Sequence, residues 1–159
     1  MSLTLISEQV LSASAASITF SSIPQTYTDL VLEVVGQLDL TAAGSIAARY
    51  NGDTATNYSQ TYLYGNGTSA ISGRSSNVTY AYGGDIGNTQ VSTNTIHIMS
   101  YANTTTYKTA LNRGAKSDSG TNATVTLWRS TAAITSVLVA NSTSNTFAAG
   151  TTFRLWGVK

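Results

Sequence analysis

The chain has one histidine, His97, and seven carboxylates: Glu8, Asp29, Glu33, Asp39, Asp53, Asp85 and Asp118. A hydrolase triad would need His97 between a nucleophile and a carboxylate. No Gly-x-Ser-x-Gly elbow accompanies it, so His97 reads as a strand histidine at a sheet surface or interface. Structural zinc needs several nitrogen or sulfur ligands. One histidine and no cysteine do not supply them. The carboxylates are scattered, whereas a glycosidase needs two facing each other across a sugar. "NGDTATN", residues 51–57, offers oxygen ligands around a turn. It lacks the spacing and terminal acid of an EF-hand loop. "GNG" at 65–67 and "GG" at 83–84 have neither the strand-to-helix context nor the lysine of a phosphate loop. No catalysis, metal or cofactor is expected. The sequons at Asn57, Asn66, Asn77, Asn103, Asn122 and Asn141 follow from the density of Ser and Thr.

Tyrosine is more informative. Tyr58, Tyr62, Tyr64, Tyr80 and Tyr82 cluster in a stretch rich in Ser, Gly, Asn and Thr. Tyrosine supplies contact area at low entropy cost, and the small polar residues supply adaptable hydrogen bonds. This palette suits protein contact, sugar stacking or assembly, and equally tyrosines half-buried along strand edges. The expected contact surface combines Leu3 and Leu5, from an N-terminal strand at Leu3–Val10, with Tyr62, Tyr64, Tyr80 and Tyr82. In an alternative reading, Tyr64, Tyr80, Tyr82 and Asn66 stack on and hydrogen-bond a host surface glycan.

The elements that must position these residues are strands. Ile18 and Phe20 share a face of "SITFS", and Pro24 breaks that run. Leu30, Leu32 and Val34 alternate with Val31, Glu33 and Val35. Both faces are apolar enough for a central strand, with Glu33 needing a partner or an opening to solvent. "SIAARYNGD" reads as a strand running into a turn at Asn51-Gly52, and "SQTYLY" is expected to pair with it. Residues 65–94 show no clear period and read as a functional loop or unplaced strands, with "NVTYAY" as one short strand. Alternation returns with Ile96 and Ile98 opposite His97 and Met99. Val125 and Leu127 then oppose Thr124, Thr126 and Trp128. At the end, Phe153 and Leu155 point inward, opposite Arg154 and Trp156. Eight to ten strands predict an all-β, antiparallel two-sheet sandwich spanning residues 1–159 as one domain, with a jelly roll favoured. An immunoglobulin-like sandwich and a Greek-key barrel are the alternatives.

Charged residues make up only 9% of the chain, against about 25% in an average domain. A neutral surface of Ser, Thr, Asn, Gly and Tyr fits a subunit packed among others. It also leaves sheet edges without their usual lysine protection. The net charge of +1 argues against a nucleic-acid partner. No apolar run approaches the roughly 20 residues of a membrane helix. "MSLTLISEQVL" lacks the basic and apolar regions of a signal peptide, so synthesis in a cytoplasm is expected.

Five stretches together resemble a known group: "ASITFSSIPQTYTDLVLEV" (16–34), "RYNGDTATNYS" (49–59), "SYANTTTYKT" (100–109), "WRSTAAITSV" (128–137) and "FAAGTTFRLWGVK" (147–159). Their order is similar to small structural proteins of tailed-phage virions. In these an Ile-Pro-x-x-Tyr-x-Asp-Leu segment opens the domain and a Phe-x-x-Gly-Thr-x-Phe-x-Leu-Tyr-Gly-like strand closes it. Trp156 stands where the group has Tyr, and 65–94 departs from its pattern. The resemblance implies a virion protein made in a bacterial cytoplasm and placed among head-decoration, tail or fibre components. With no heptad or collagen-like shaft, the expected role is a capsid decoration (cement) protein. It would act as a homo-oligomer such as a trimer, bound to the major capsid protein. A tail-fibre or receptor-binding, carbohydrate-binding component is the alternative.

Overall fold

The computed structural model describes residues 2–39, 42–116, 120–143 and 145–159. Within them lie twelve strands and no helix, more strands than the eight to ten expected. They are β1 (Leu3–Val10), β2 (Ser17–Phe20), β3 (Asp29–Gly36), β4 (Gly44–Tyr50), β5 (Tyr58–Gly65) and β6 (Ala70–Val78). Then follow β7 (Ala81–Ile86), β8 (Ser92–Met99), β9 (Lys108–Lys116), β10 (Gly120–Trp128), β11 (Val137–Asn141) and β12 (Thr152–Val158). They form two antiparallel sheets: eight strands in the order β1-β12-β3-β8-β9-β10-β5-β6, and four in the order β2-β11-β4-β7. The molecule is a β-sandwich.

The pairing has a simple logic. β1 pairs with β12, β2 with β11, β3 with β8, and β4 with β7. These eight strands are the two arms of one long hairpin, folded so that successive pairs fall in alternate sheets. Two further hairpins are inserted, β5–β6 between β4 and β7, and β9–β10 between β8 and β11. Both extend the large sheet beyond β8. The large sheet therefore overhangs the small one, whose edge strand on that side is β7.

The core follows the alternation in the sequence. Leu30, Leu32, Val34, Ile98, Phe153 and Leu155 are fully buried, and Ile18, Phe20 and Ile96 nearly so. β3 is central, between β12 and β8, as its two apolar faces predict. Glu33 lies on the outer face and accepts a hydrogen bond from Trp156 Nε1 at 2.9 Å, which resolves its need for a partner. At one end Tyr50, Tyr58 and Trp128 pack ring to ring, with centroids 5.4 to 6.2 Å apart. Burial pushes the Tyr58 hydroxyl up to about 12.

Two expectations are corrected. Asn51 and Gly52 do form a turn, both at positive φ (53° and 69°). However, β4 and β5 do not pair; β4 runs between β11 and β7, and β5 between β10 and β6 in the other sheet. The Asn51 side chain explains the crossing: its Oδ1 accepts from the amides of Thr135 and Ser136, tying the turn to the approach to β11. Of the two readings of residues 65–94, a loop or unplaced strands, the second holds: they contain β6, β7 and the start of β8, but "NVTYAY" is not one strand, being the junction between β6 and β7.

Candidate functional site

The inner face of the overhang is polar. On β10 the buried side chains are Asn122, Thr124, Thr126 and Trp128, while Val125 points outward. Asn112 on β9, Asn94 on β8 and Gln60 on β5 continue this inner polar surface. Two amides pin β7 to it. Asn94 Nδ2 donates to the Asp85 carbonyl at 2.9 Å, and Asn112 Nδ2 to the Gly83 carbonyl at 2.8 Å. Gly84, at φ +101°, makes this approach possible, because a Cβ there would collide with the Asn94 side chain. The pairing of β7 with β4 shifts register beside Ser45.

Where the large sheet runs past β7, a cleft of about 390 Å3 opens. Tyr62, Tyr64 and Gln60 line it from β5, Tyr82 and Asp85 from β7, Tyr80 from the turn before β7, Ile71 from β6 and Asn122 from β10. Tyr62 lies over Gly73 of β6, where any side chain would strike its ring. Tyr82 donates its hydroxyl to Asp85 Oδ1 at 2.6 Å, and Ser45 Oγ reaches the same oxygen at 3.2 Å. Burial, with the hydrogen bond and charge of Asp85 added, raises the Tyr82 hydroxyl far above its ordinary value, so it remains a donor. Asn122 is 5% exposed, and neither end of its amide has a hydrogen bond among the described residues. Gln60 Oε1 is in the same position. Leaving such a group buried and unpaired costs about 1–3 kcal/mol.

The four tyrosines expected to share a surface are thus brought together. Tyr58 is not among them; it belongs to the aromatic core. Asn66 is absent from the lining, because its Oδ1 accepts from the Thr68 and Ser69 amides in the turn between β5 and β6. Gln60, Asp85 and Asn122 were not anticipated. The alternation of β10 held the signal for Asn122: placing Trp128 inward places Asn122 inward too.

Leu3 and Leu5 lie elsewhere. β1 is the far edge strand of the large sheet, and both residues point to its outer face. The expected single contact surface is therefore two surfaces. On the outer face, strand register builds a row across the sheet: Leu5, Trp156, Val31, His97, Leu111, Val125, Thr61 and Arg74. Among the described residues nine large apolar side chains are exposed, and six of them, Leu3, Leu5, Val10, Leu63, Leu111 and Val125, are on this face. Leu63 is 63% exposed. No described strand covers the face.

His97 sits in this row, as a sheet-surface histidine. Its Nε2 lies 2.9 Å from Asp29 Oδ2, and Asp29 Oδ1 accepts from the Ser100 amide at 2.7 Å. Among the described residues no hydroxyl is bonded to His97, and no three His, Cys, Asp or Glu side chains gather as a metal site. Asp118 lies outside the described residues. No family model, no curated protein and no solved structure matches the chain.

Proposed function

We propose that this chain is a structural protein of a tailed-phage virion, a capsid decoration (cement) protein that binds the major capsid protein lattice and stabilises the head. The observation that carries the reading is the six exposed apolar side chains on the uncovered outer face of the large sheet, in a chain with only 9% charged residues. Exposed apolar side chains gathered on one uncovered sheet face suit an interaction site. Charge poverty removes the usual protection against association. The nested pairing of β1·β12, β2·β11, β3·β8 and β4·β7 supports assigning the sandwich to the jelly rolls, a rigid architecture common in capsid shells. The sequence motifs support the phage assignment. A homo-oligomer on the lattice would repeat modest contacts by symmetry, and binding only the assembled shell would shift it away from falling apart.

Immunogold labelling of intact virions tests the placement. Gold over the whole head is the expected result, with heads lacking the protein opening at lower temperature. Gold confined to the tail, or heads of unchanged heat stability without the protein, would sink the reading.

A further inference from the structure

We propose that the cleft between β5, β7 and β10 is a binding site for a neutral pyranose sugar. The inference is independent of where the chain sits on a particle. It deepens the carbohydrate reading of the tyrosines by naming the sugar class and the polar residues that orient it.

The lining offers two kinds of surface. Tyr62, Tyr64, Tyr80 and Tyr82 converge from both sheets and provide aromatic faces and edges. Such rings suit ligands that are apolar on one side and wet on the other. Between them stand polar groups held in place but not consumed. The Asn122 amide is buried with both ends unpaired, and Gln60 presents an unpaired carbonyl oxygen. Asp85 has Oδ1 fixed by Tyr82 and Ser45, and neither bond uses Oδ2. The volume, about 390 Å3, falls at the small end of the range for small-molecule sites, which is about 300–1,000 Å3.

A pyranose matches this set. Its ring has apolar C–H faces for the tyrosines, and its neighbouring hydroxyls both donate and accept. They can donate to Asp85 Oδ2 and, once the Gln60 and Asn122 side chains rotate from their buried positions into the cleft, to Gln60 Oε1 and Asn122 Oδ1, while accepting from Asn122 Nδ2. An anionic ligand matches poorly. Among the described residues no lysine or arginine lines the cleft, and Asp85 is part of its lining. A purely apolar ligand would leave Asn122 and Gln60 unpaired. The preorganisation is structural: the amides of Asn94 and Asn112 pin β7, and with it Asp85, opposite β5.

The test is a titration of the full chain, nitrogen-labelled for NMR, with maltose, lactose and methyl mannoside, and with sialyllactose as the acidic comparison. Saturable shifts of the Asn122 and Gln60 side-chain amides are expected with at least one neutral sugar, with the Trp128 indole signal still. Tyr80→Ala should weaken that binding about tenfold. Gln60→Ala, which removes no internal hydrogen bond from Oε1, should weaken it without disturbing the fold. Absence of saturable shifts with all three neutral sugars would overturn the proposal. So would shifts confined to the outer face, or affinity unchanged in a folded Gln60→Ala variant. Sialyllactose binding as tightly as lactose would overturn the neutral specification.

Discussion

Asp53 accepts hydrogen bonds from the Ala55 amide at 2.9 Å, Asn57 Nδ2 at 3.0 Å and Trp128 Nε1 at 2.7 Å. Partial burial pushes its carboxyl up, but the three donors together outweigh this and hold it below its ordinary 3.8. A carboxyl lowered by folding stabilises the folded state above the unfolded value, and that contribution is lost as pH falls through the folded one. Asp53→Ala should lower stability by about 1–3 kcal/mol in urea unfolding at neutral pH, because it strands the Trp128 indole N–H. The deficit should shrink as the solution is acidified below 3.8. Thr126 is the opposite case. Its hydroxyl is buried and bonded to nothing among the described residues. Thr126→Val, similar in shape, should therefore raise stability, by about 1 kcal/mol in the same assay.

Among the elements, β7 shows what the sequence left hidden. The alternation of β3, β8, β10 and β12 was legible because each has one face fully buried against the opposite sheet. β6 has no such face: its burial pattern runs exposed or intermediate throughout. β7 carries Gly83-Gly84 through a register shift, so its period breaks where it matters. The tyrosine cluster was visible as composition. Its partners were not, because Asp85, Gln60 and Asn122 converge only through the pairing of β10 with β5 and the amide contacts that hold β7. The Asn51-Gly52 turn was legible too, but its flanking strands enter different sheets, a tertiary outcome that turn chemistry does not encode. The motifs behind the phage resemblance prove to be frame joints. Tyr27 lies on Gly157, and Thr28 Oγ1 donates to the Val158 carbonyl at 2.7 Å, so the opening and closing segments meet. Gly84→Ala tests the β7 arrangement. Both its positive φ and its clash with Asn94 should cost stability, about 1–3 kcal/mol by thermal unfolding. The Asn94 and Asn112 side-chain amide signals should move with it.

The molecule presents two unlike surfaces: an open sheet face carrying exposed apolar side chains and, behind the same sheet, a tyrosine-lined cleft. They can be separated by mutation. Leu111→Thr with Val125→Thr removes apolar surface at facing positions of β9 and β10 while placing β-branched strand formers at both. Stability should change by no more than about 0.5 kcal/mol per site. If the chain is the capsid decoration protein proposed above, its attachment to capsids should fall in co-sedimentation, and the cleft should be untouched. The nested pairing also has a consequence in time. Hairpins close in about 1–10 μs, and β5–β6 and β9–β10 are local. The β1·β12 pairing joins Leu3 to Val158, almost the full chain, and such distant contacts form slowly. In pulse-labelled hydrogen exchange, amides of β9 and β10 should gain protection before those of β1 and β12. The reverse order would contradict this. During synthesis β3 waits with one edge bare until β12 has emerged. The most aggregation-prone interval of this protein's life therefore comes just before its frame closes.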